Sequence, residues 1–270
     1  MPEPIPAENT NTLKPLDWPP IRVDVRVSHA QLDAMIKRVE ANFQHMGEVE
    51  PHWSVLSADR FLAANIAATE VEFFRSGREP VTNFIATLER SGLAANEFPT
   101  CFELGCGVGR STIWLAEHFR NVIAADISAP HLKLAESAAA RWQRQNVDFL
   151  LANRVGSIEV APPFDIFFSV IVLQHNPPPI IRALLSSAFD RLPPRGVAYF
   201  QVPTYRLGYT FDADAYLASP INLGTPEMHV LPQPELHRLI AERGCRVIEM
   251  REDGAAGGHN VSNRILVQKL

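Results

Sequence analysis

The sequence predicts an α/β fold: a doubly wound, seven-stranded, mostly parallel sheet with an antiparallel C-terminal hairpin, preceded by an N-terminal helical cap. Three observations predict it. From Cys101 onward, short apolar runs alternate with helical patterns, the rhythm of a parallel sheet covered by helices on both faces. The last two strand-like runs are joined by a loop (252–261) with three glycines and no helical pattern, so they can lie antiparallel as neighbours. Ahead of Cys101 the apolar residues keep helical spacing instead.

Taken in order, residues 1–27 are expected to form an extended or disordered leader, because the first twenty hold six prolines and few apolar residues. The cap is assigned to 28–98. Ser28 and Gln31 make a capping box for a helix whose face is Leu32, Met35, Ile36, Val39 and Phe43. A loop with Trp53 follows. Asp59 can cap a second helix carrying Phe61, Ile66, Val71 and Phe74, closed by Gly77, and Pro80 opens a third carrying Val81, Phe84 and Leu88. Residues 99–270 form the sheet domain. Its strands are expected at 100–104, 121–126, 147–152, 164–170, 196–202, 245–250 and 262–269, and its helices near 110–119, 129–144, 179–192 and 233–243. The long connection at 203–231 reads as a lid, since long connections in compact domains usually carry function.

The chain is organised around T-C-F-E-L-G-C-G-V-G-R, starting at Thr100. A buried strand runs into Gly105, Gly107 and Gly109 and then into a helix, so main chain can approach a ligand closely beside N–H groups that favour negative charge. The spacing departs from the dinucleotide pattern G-x-G-x-x-G, because the third glycine comes early and Arg110 fills the later slot. An acid, Glu103, lies inside the strand. The next apolar run, 122–125, ends in Asp126, whose carboxylate can accept both hydroxyls of a ribose from the tip of the neighbouring strand.

E-L-G-C-G-V-G-R, V-I-A-A-D-I and F-D-I-F-F-S-V-I-V-L-Q-H-N-P together resemble the class I (Rossmann-like) S-adenosylmethionine-dependent methyltransferases of the small-molecule type. The resemblance covers roughly residues 100–270. It implies S-adenosyl-L-methionine as cofactor, held by Glu103, Gly105, Cys106, Gly107, Gly109, Arg110, Asp126, Ile127 and Val170. Asn153 takes the place near the third strand end where an acid often meets the adenine amine. The implied reaction is methyl transfer to oxygen or nitrogen of a small metabolite, natural product or glycan precursor. A nicotinamide-dependent oxidoreductase is the alternative enzyme, and a non-catalytic cofactor-binding partner or sensor the alternative class.

A substrate hydroxyl can need a general base, and histidine suits neutral pH. His175, at the mouth of the fourth strand, and His229 and His259, in loops near it, are the catalytic candidates. Trp53, Phe74, Tyr205 and Tyr209 are candidates for the substrate pocket. Asn176-Pro177-Pro178-Pro179 differs from the Asn-Pro-Pro-aromatic element of enzymes that methylate DNA amines, because Asn176 lies too far beyond the strand and no aromatic follows.

Composition sets the bounds. The 270 residues are 46% apolar with a formal net charge of −5 and no run of lysines or arginines, which argues against nucleic acid as a partner. The three scattered cysteines suggest reduced thiols, no pattern has zinc-ligand spacing, and no stretch is apolar enough to span a membrane or serve as a signal. A cytoplasmic protein, monomer or homodimer, acting on a small molecule without a metal, is the expectation.

Overall fold

The computed structural model describes residues 19–258 and 260–270. Seven strands form the central sheet: β2 (Thr100–Leu104), β3 (Asn121–Asp126), β4 (Val147–Leu151), β5 (Ile166–Ser169), β6 (Val197–Arg206), β8 (Cys245–Asp253) and β9 (Asn260–Lys269). Their order across the sheet is β4-β3-β2-β5-β6-β9-β8. The first five are parallel, and β9 inserts antiparallel between β6 and β8. The strand order reverses at β2, so its carboxyl end opens into the crevice where such sheets take ligands.

Alternation along each inner strand sends side chains to both faces. On one face Phe102, Phe167, Ala198 and Phe200 pack under α1 (His29–Val49), α6 (Pro178–Arg191) and α8 (Gln233–Glu242). On the other, Cys101, Val122, Ile166, Phe168 and Tyr199 meet α2 (Ile66–Ser76), α3 (Arg78–Arg90), α4 (Thr112–Leu115) and α5 (Ala129–Arg141). The helices expected as a cap therefore divide. Only α1 reaches the crevice, whereas α2 and α3 cover a sheet face: Phe84 is fully buried, with its ring 4.8 Å from Tyr199 and 5.4 Å from Phe168.

The reason lies in α4. A helix over 110–119 is expected, but only 112–115 is α-helical. Arg144 Nε donates to the carbonyl of Ile113, and Asn146 Nδ2 donates to those of Ala116 and Phe119. The main chain meanwhile tightens to i→i−3 bonds from Glu117 and His118. A helix that short cannot cover the β2–β5–β6 face, so α2 and α3 do.

The Ser28–Gln31 capping box opens α1 as expected. Short β1 (Arg22–Val23) pairs in parallel with β7 (Thr210–Phe211), giving the end of the leader a fixed place; residues 1–18 lie outside the described residues. The lid segment 203–231 holds β7 and α7 (Ala213–Ala218) and is stapled to α1. Arg38 donates to the carbonyls of Leu217, Ser219 and Pro220, and Asn42 bonds both Thr225 and Gly224. Roof helix and lid are one connected cover. Among the described residues, no helix is long and apolar enough to cross a membrane.

Candidate functional site

The register that aligns Leu104 with Ala125 brings the ends of β2 and β3 side by side. Beyond them the chain turns through Gly105 and Gly107, at φ 77° and 54°, a left-handed backbone that other residues adopt only under strain. Space demands glycine here as well. A Cβ on Gly105 would lie 2.4 Å from the Val172 methyls, and one on Gly107 would lie 2.5 Å from Val55 Cγ2. The turn is tied down by Gly105 and Cys106 N–H, which both donate to the carbonyl of Ala125.

Asp126, 6% exposed, accepts from Gly107 N–H through Oδ2 at 2.8 Å and from Ser128 N–H through Oδ1 at 2.9 Å. Each carboxylate oxygen keeps a lone-pair direction for a further donor. Glu103 is 3% exposed and accepts from Thr112 Oγ1 at 2.6 Å. Burial raises its pKa to about 7, against the opposing pull of Thr112 and Arg110. Arg110 is 7% exposed; Nη1 donates to Ser76 Oγ at 3.1 Å, while its buried Nε has no partner.

These groups line a cleft whose free space, including the part open to solvent, is about 970 Å³. Glu103, Gly105, Cys106, Gly107, Arg110, Asp126, Ile127, Val170 and His175 all face it. Gly109 instead lies against Ala135 of α5, where a Cβ would come 3.3 Å from the helix main chain. Asn153 also stands outside the lining. It turns toward α1, Nδ2 donating to Glu40 at 3.3 Å, and Ala152 takes the place on the cavity wall. The donors and acceptors present suit a ligand carrying a diol, a carboxylate and an amine. The spare lone pairs of Asp126 meet the first, the orphaned guanidinium N–H the second, and the desolvated Glu103 carboxyl the third.

The histidines are less free than the sequence suggests. His175 Nδ1 bonds the carbonyl of Glu227 at 2.8 Å, so this nitrogen carries the proton, and Nε2 accepts from Gln174 Nε2 at 3.2 Å. Burial holds its pKa below the usual imidazole value. His229 is buried away from the cavity, between Glu227 Oε2 at 2.8 Å and Tyr209 OH at 2.9 Å. Both of its nitrogens are engaged, which removes it as a base for a substrate in the cavity. His259 lies outside the described residues.

The aromatic candidates are also relocated. Phe74, 2% exposed, packs edge-on against Phe73 in the core under α2. Tyr209 is occupied by His229, Tyr205 donates to the carbonyl of Pro19, and Trp53 is part-buried beside the cavity loop without lining the space. Apolar attraction to the nearest sheet face, not to the crevice, decides where Phe74 goes.

In their place α1 supplies Ile36, Val39 and Phe43. Their helical spacing was legible, but core packing and pocket lining leave the same stripe. Three further residues were not among the site candidates read from the sequence. His131 Nε2 bonds Ser54 Oγ at 2.8 Å, pinning the 51–56 loop over the turn while the Ser54 proton goes to the carbonyl of Pro51. Ile171 has φ 60°, uncommon for a β-branched residue, and its N–H donates to the buried Gln201 side chain at 3.0 Å. Asn176 also faces the cavity. Among the described residues no group of three or more His, Cys, Asp or Glu could hold a metal ion.

Comparison with known proteins supplies the remaining term. Residues 102–196 match the family model of a methyltransferase domain. No curated protein matches the sequence. Among solved structures, magnesium protoporphyrin IX methyltransferase from Synechocystis PCC 6803, with bound S-adenosylhomocysteine, aligns over 88% of this chain and 100% of its own at 18% identity and a TM-score of 0.60. The N-methyltransferase NodS from Bradyrhizobium japonicum WM9 aligns over 84% and 98% at 16% identity and a TM-score of 0.52. At such identities the structural likeness speaks for the fold alone. Residues 102–196 are thus similar to a methyltransferase domain, and the observed strand order and the glycine-and-acid crevice agree with that match.

Proposed function

We propose that the enzyme transfers the methyl group of S-adenosylmethionine to oxygen or nitrogen of a small metabolite, natural product or glycan precursor, as a cytoplasmic monomer or homodimer. The observation that supports this most is the reach of the cavity. Its lining continues from the charged groups at the glycine turn to the apolar wall of Ile36, Val39 and Phe43, which sets an apolar surface beside the groups read as the cofactor's. In this reading Asp126 receives the ribose hydroxyls, Arg110 Nε the methionine carboxylate and Glu103 the ammonium. The bound cofactor supplies an electrophilic methyl on a sulfonium.

What the chain adds is placement. In-line displacement gains its rate chiefly from orienting two reactants and removing water. Val172 and Val55 close over the turn, and the Ser54–His131 bond holds that cover down. His175, with both nitrogens bonded, serves as a fixed wall of the acceptor site.

Calorimetry with S-adenosylhomocysteine and with NAD tests the cofactor, and NAD binding alone would favour the oxidoreductase reading. Transfer of label from methyl-labelled cofactor to a panel of hydroxyl and amine compounds tests the reaction. Tight cofactor binding without product across the panel would assign a non-catalytic partner or sensor instead.

A further inference from the structure

Asn176 stands just ahead of α6, where an asparagine ordinarily caps a helix by accepting a backbone N–H with its side-chain oxygen. Here the next residues are Pro177, Pro178 and Pro179, and none of them has an N–H to give. The side chain makes one bond: Nδ2 donates to the carbonyl of Val172 at 3.0 Å. A carbonyl only accepts, so the orientation of the amide is settled, and Oδ1 is turned away from Val172. Among the described residues that oxygen has no hydrogen-bond partner, and the residue, 8% exposed, lines the cavity. Oδ1 is not among the buried atoms left without a partner, so it is open at the cavity wall, where a ligand donor can reach it.

Its surroundings indicate what carries the donor. The Val172 side chain covers Gly105, which places Asn176 next to the turn where the methyl is expected. Beside it are His175 and, with ring centroids 6.2 Å from that imidazole, Phe43. Ile36, Val39 and Leu184 complete an apolar wall. The Asp, Glu and Arg side chains in the lining are Glu103, Arg110 and Asp126, all committed to the cofactor in the reading above. Burial keeps His131 and His175 on the neutral side.

We infer that Asn176 Oδ1 is the hydrogen-bond acceptor for the methyl-receiving group, and that this group is an uncharged O–H or N–H on a neutral, largely apolar molecule. The inference rests on the proposed methyl transfer. Asn176 takes no proton. It holds the acceptor's O–H or N–H so that the nucleophilic lone pair faces the methyl. That lone pair forms the new bond to carbon, the carbon–sulfur electron pair stays on sulfur, and the acceptor's proton leaves to water.

The test uses protein saturated with S-adenosylhomocysteine and two probes of similar shape, 2-naphthol and 2-fluoronaphthalene, which differ in the O–H. The wild type is expected to bind the naphthol about ten-fold or more tightly than the fluoro compound, since a site built for a donor discriminates against an analogue lacking it. N176L should bring that ratio close to one. N176D keeps the oxygen and lets a protonated carboxyl take over the bond to Val172, so it should retain the preference, which a merely structural role would not predict. An undiminished ratio in N176L, equal binding of both probes by the wild type, or no binding of either would overturn the assignment. Failure of S-adenosylhomocysteine itself to bind would overturn the underlying reading together with it, and the saturation step detects that separately.

Discussion

Replacing Glu103 by glutamine isolates one buried charge. Glutamine keeps the shape and can still accept from Thr112, so the perturbation is the loss of ionisation alone. In the folded chain the carboxyl holds its proton up to about 7, whereas the unfolded chain releases it near 4.5. For this raised carboxyl the sign follows directly. Below pH 4.5 both states are protonated and the group costs nothing. As pH rises the unfolded state ionises first and binds fewer protons, so stability falls until the folded carboxyl ionises too. At about 1.4 kcal/mol per pH unit the full cost is about 3.4 kcal/mol, of which about 2.5 kcal/mol falls between pH 5 and pH 8. Urea unfolding of the cofactor-free protein across this range should show wild type losing that amount relative to E103Q. At pH 8 E103Q should also bind S-adenosylhomocysteine about 10- to 100-fold more weakly, having lost a charge-assisted bond to the ammonium. Parallel pH–stability curves for the two proteins would refute the argument.

Other perturbations probe the rest of the crevice. Asp126→Ala strands the N–H groups of Gly107 and Ser128 and removes the diol acceptor; calorimetry should show S-adenosylhomocysteine affinity falling about 100- to 10,000-fold, at about 1.5–3 kcal/mol for each of the two bonds to a charged group. Gly105→Ala puts a Cβ into the Val172 methyls at a positive φ and should cost about 1–3 kcal/mol in urea unfolding; adding Val172→Ala should recover the contact part and leave the backbone strain. Phe84→Ala should destabilise by about 3–5 kcal/mol while changing cofactor affinity little, because α3 covers the sheet face and does not line the cavity.

The sheet was legible because its cause is local. Strands buried on both faces must be continuously apolar, and the helices between them must carry a stripe, so Phe102, Phe167 and Phe200 announce themselves by period and composition. The crevice was legible for a related reason. A turn that takes positive φ at 105 and 107 needs glycine there for its own backbone, and an acid at the tip of β3 is placed by strand register.

Other assignments depended on distance in the fold. Period alone cannot say whether Phe74 and Phe84 face a crevice or a sheet, and the early end of α4 decided it through Arg144 and Asn146, some thirty residues downstream. Nor can residue type say whether a histidine is free. His175 and His229 lost their spare nitrogens to Gln174, Glu227 and Tyr209, partners brought in from the lid and the turn ahead of α6. The sequence by itself determined the layered sheet, the glycine turn and its acid, since each follows from the backbone and side-chain demands of a few neighbouring residues. Only the tertiary structure decided which stripe walls the cavity and which polar atoms remain open in it, because hydrogen bonds and apolar contacts between distant segments compete for the same side chains.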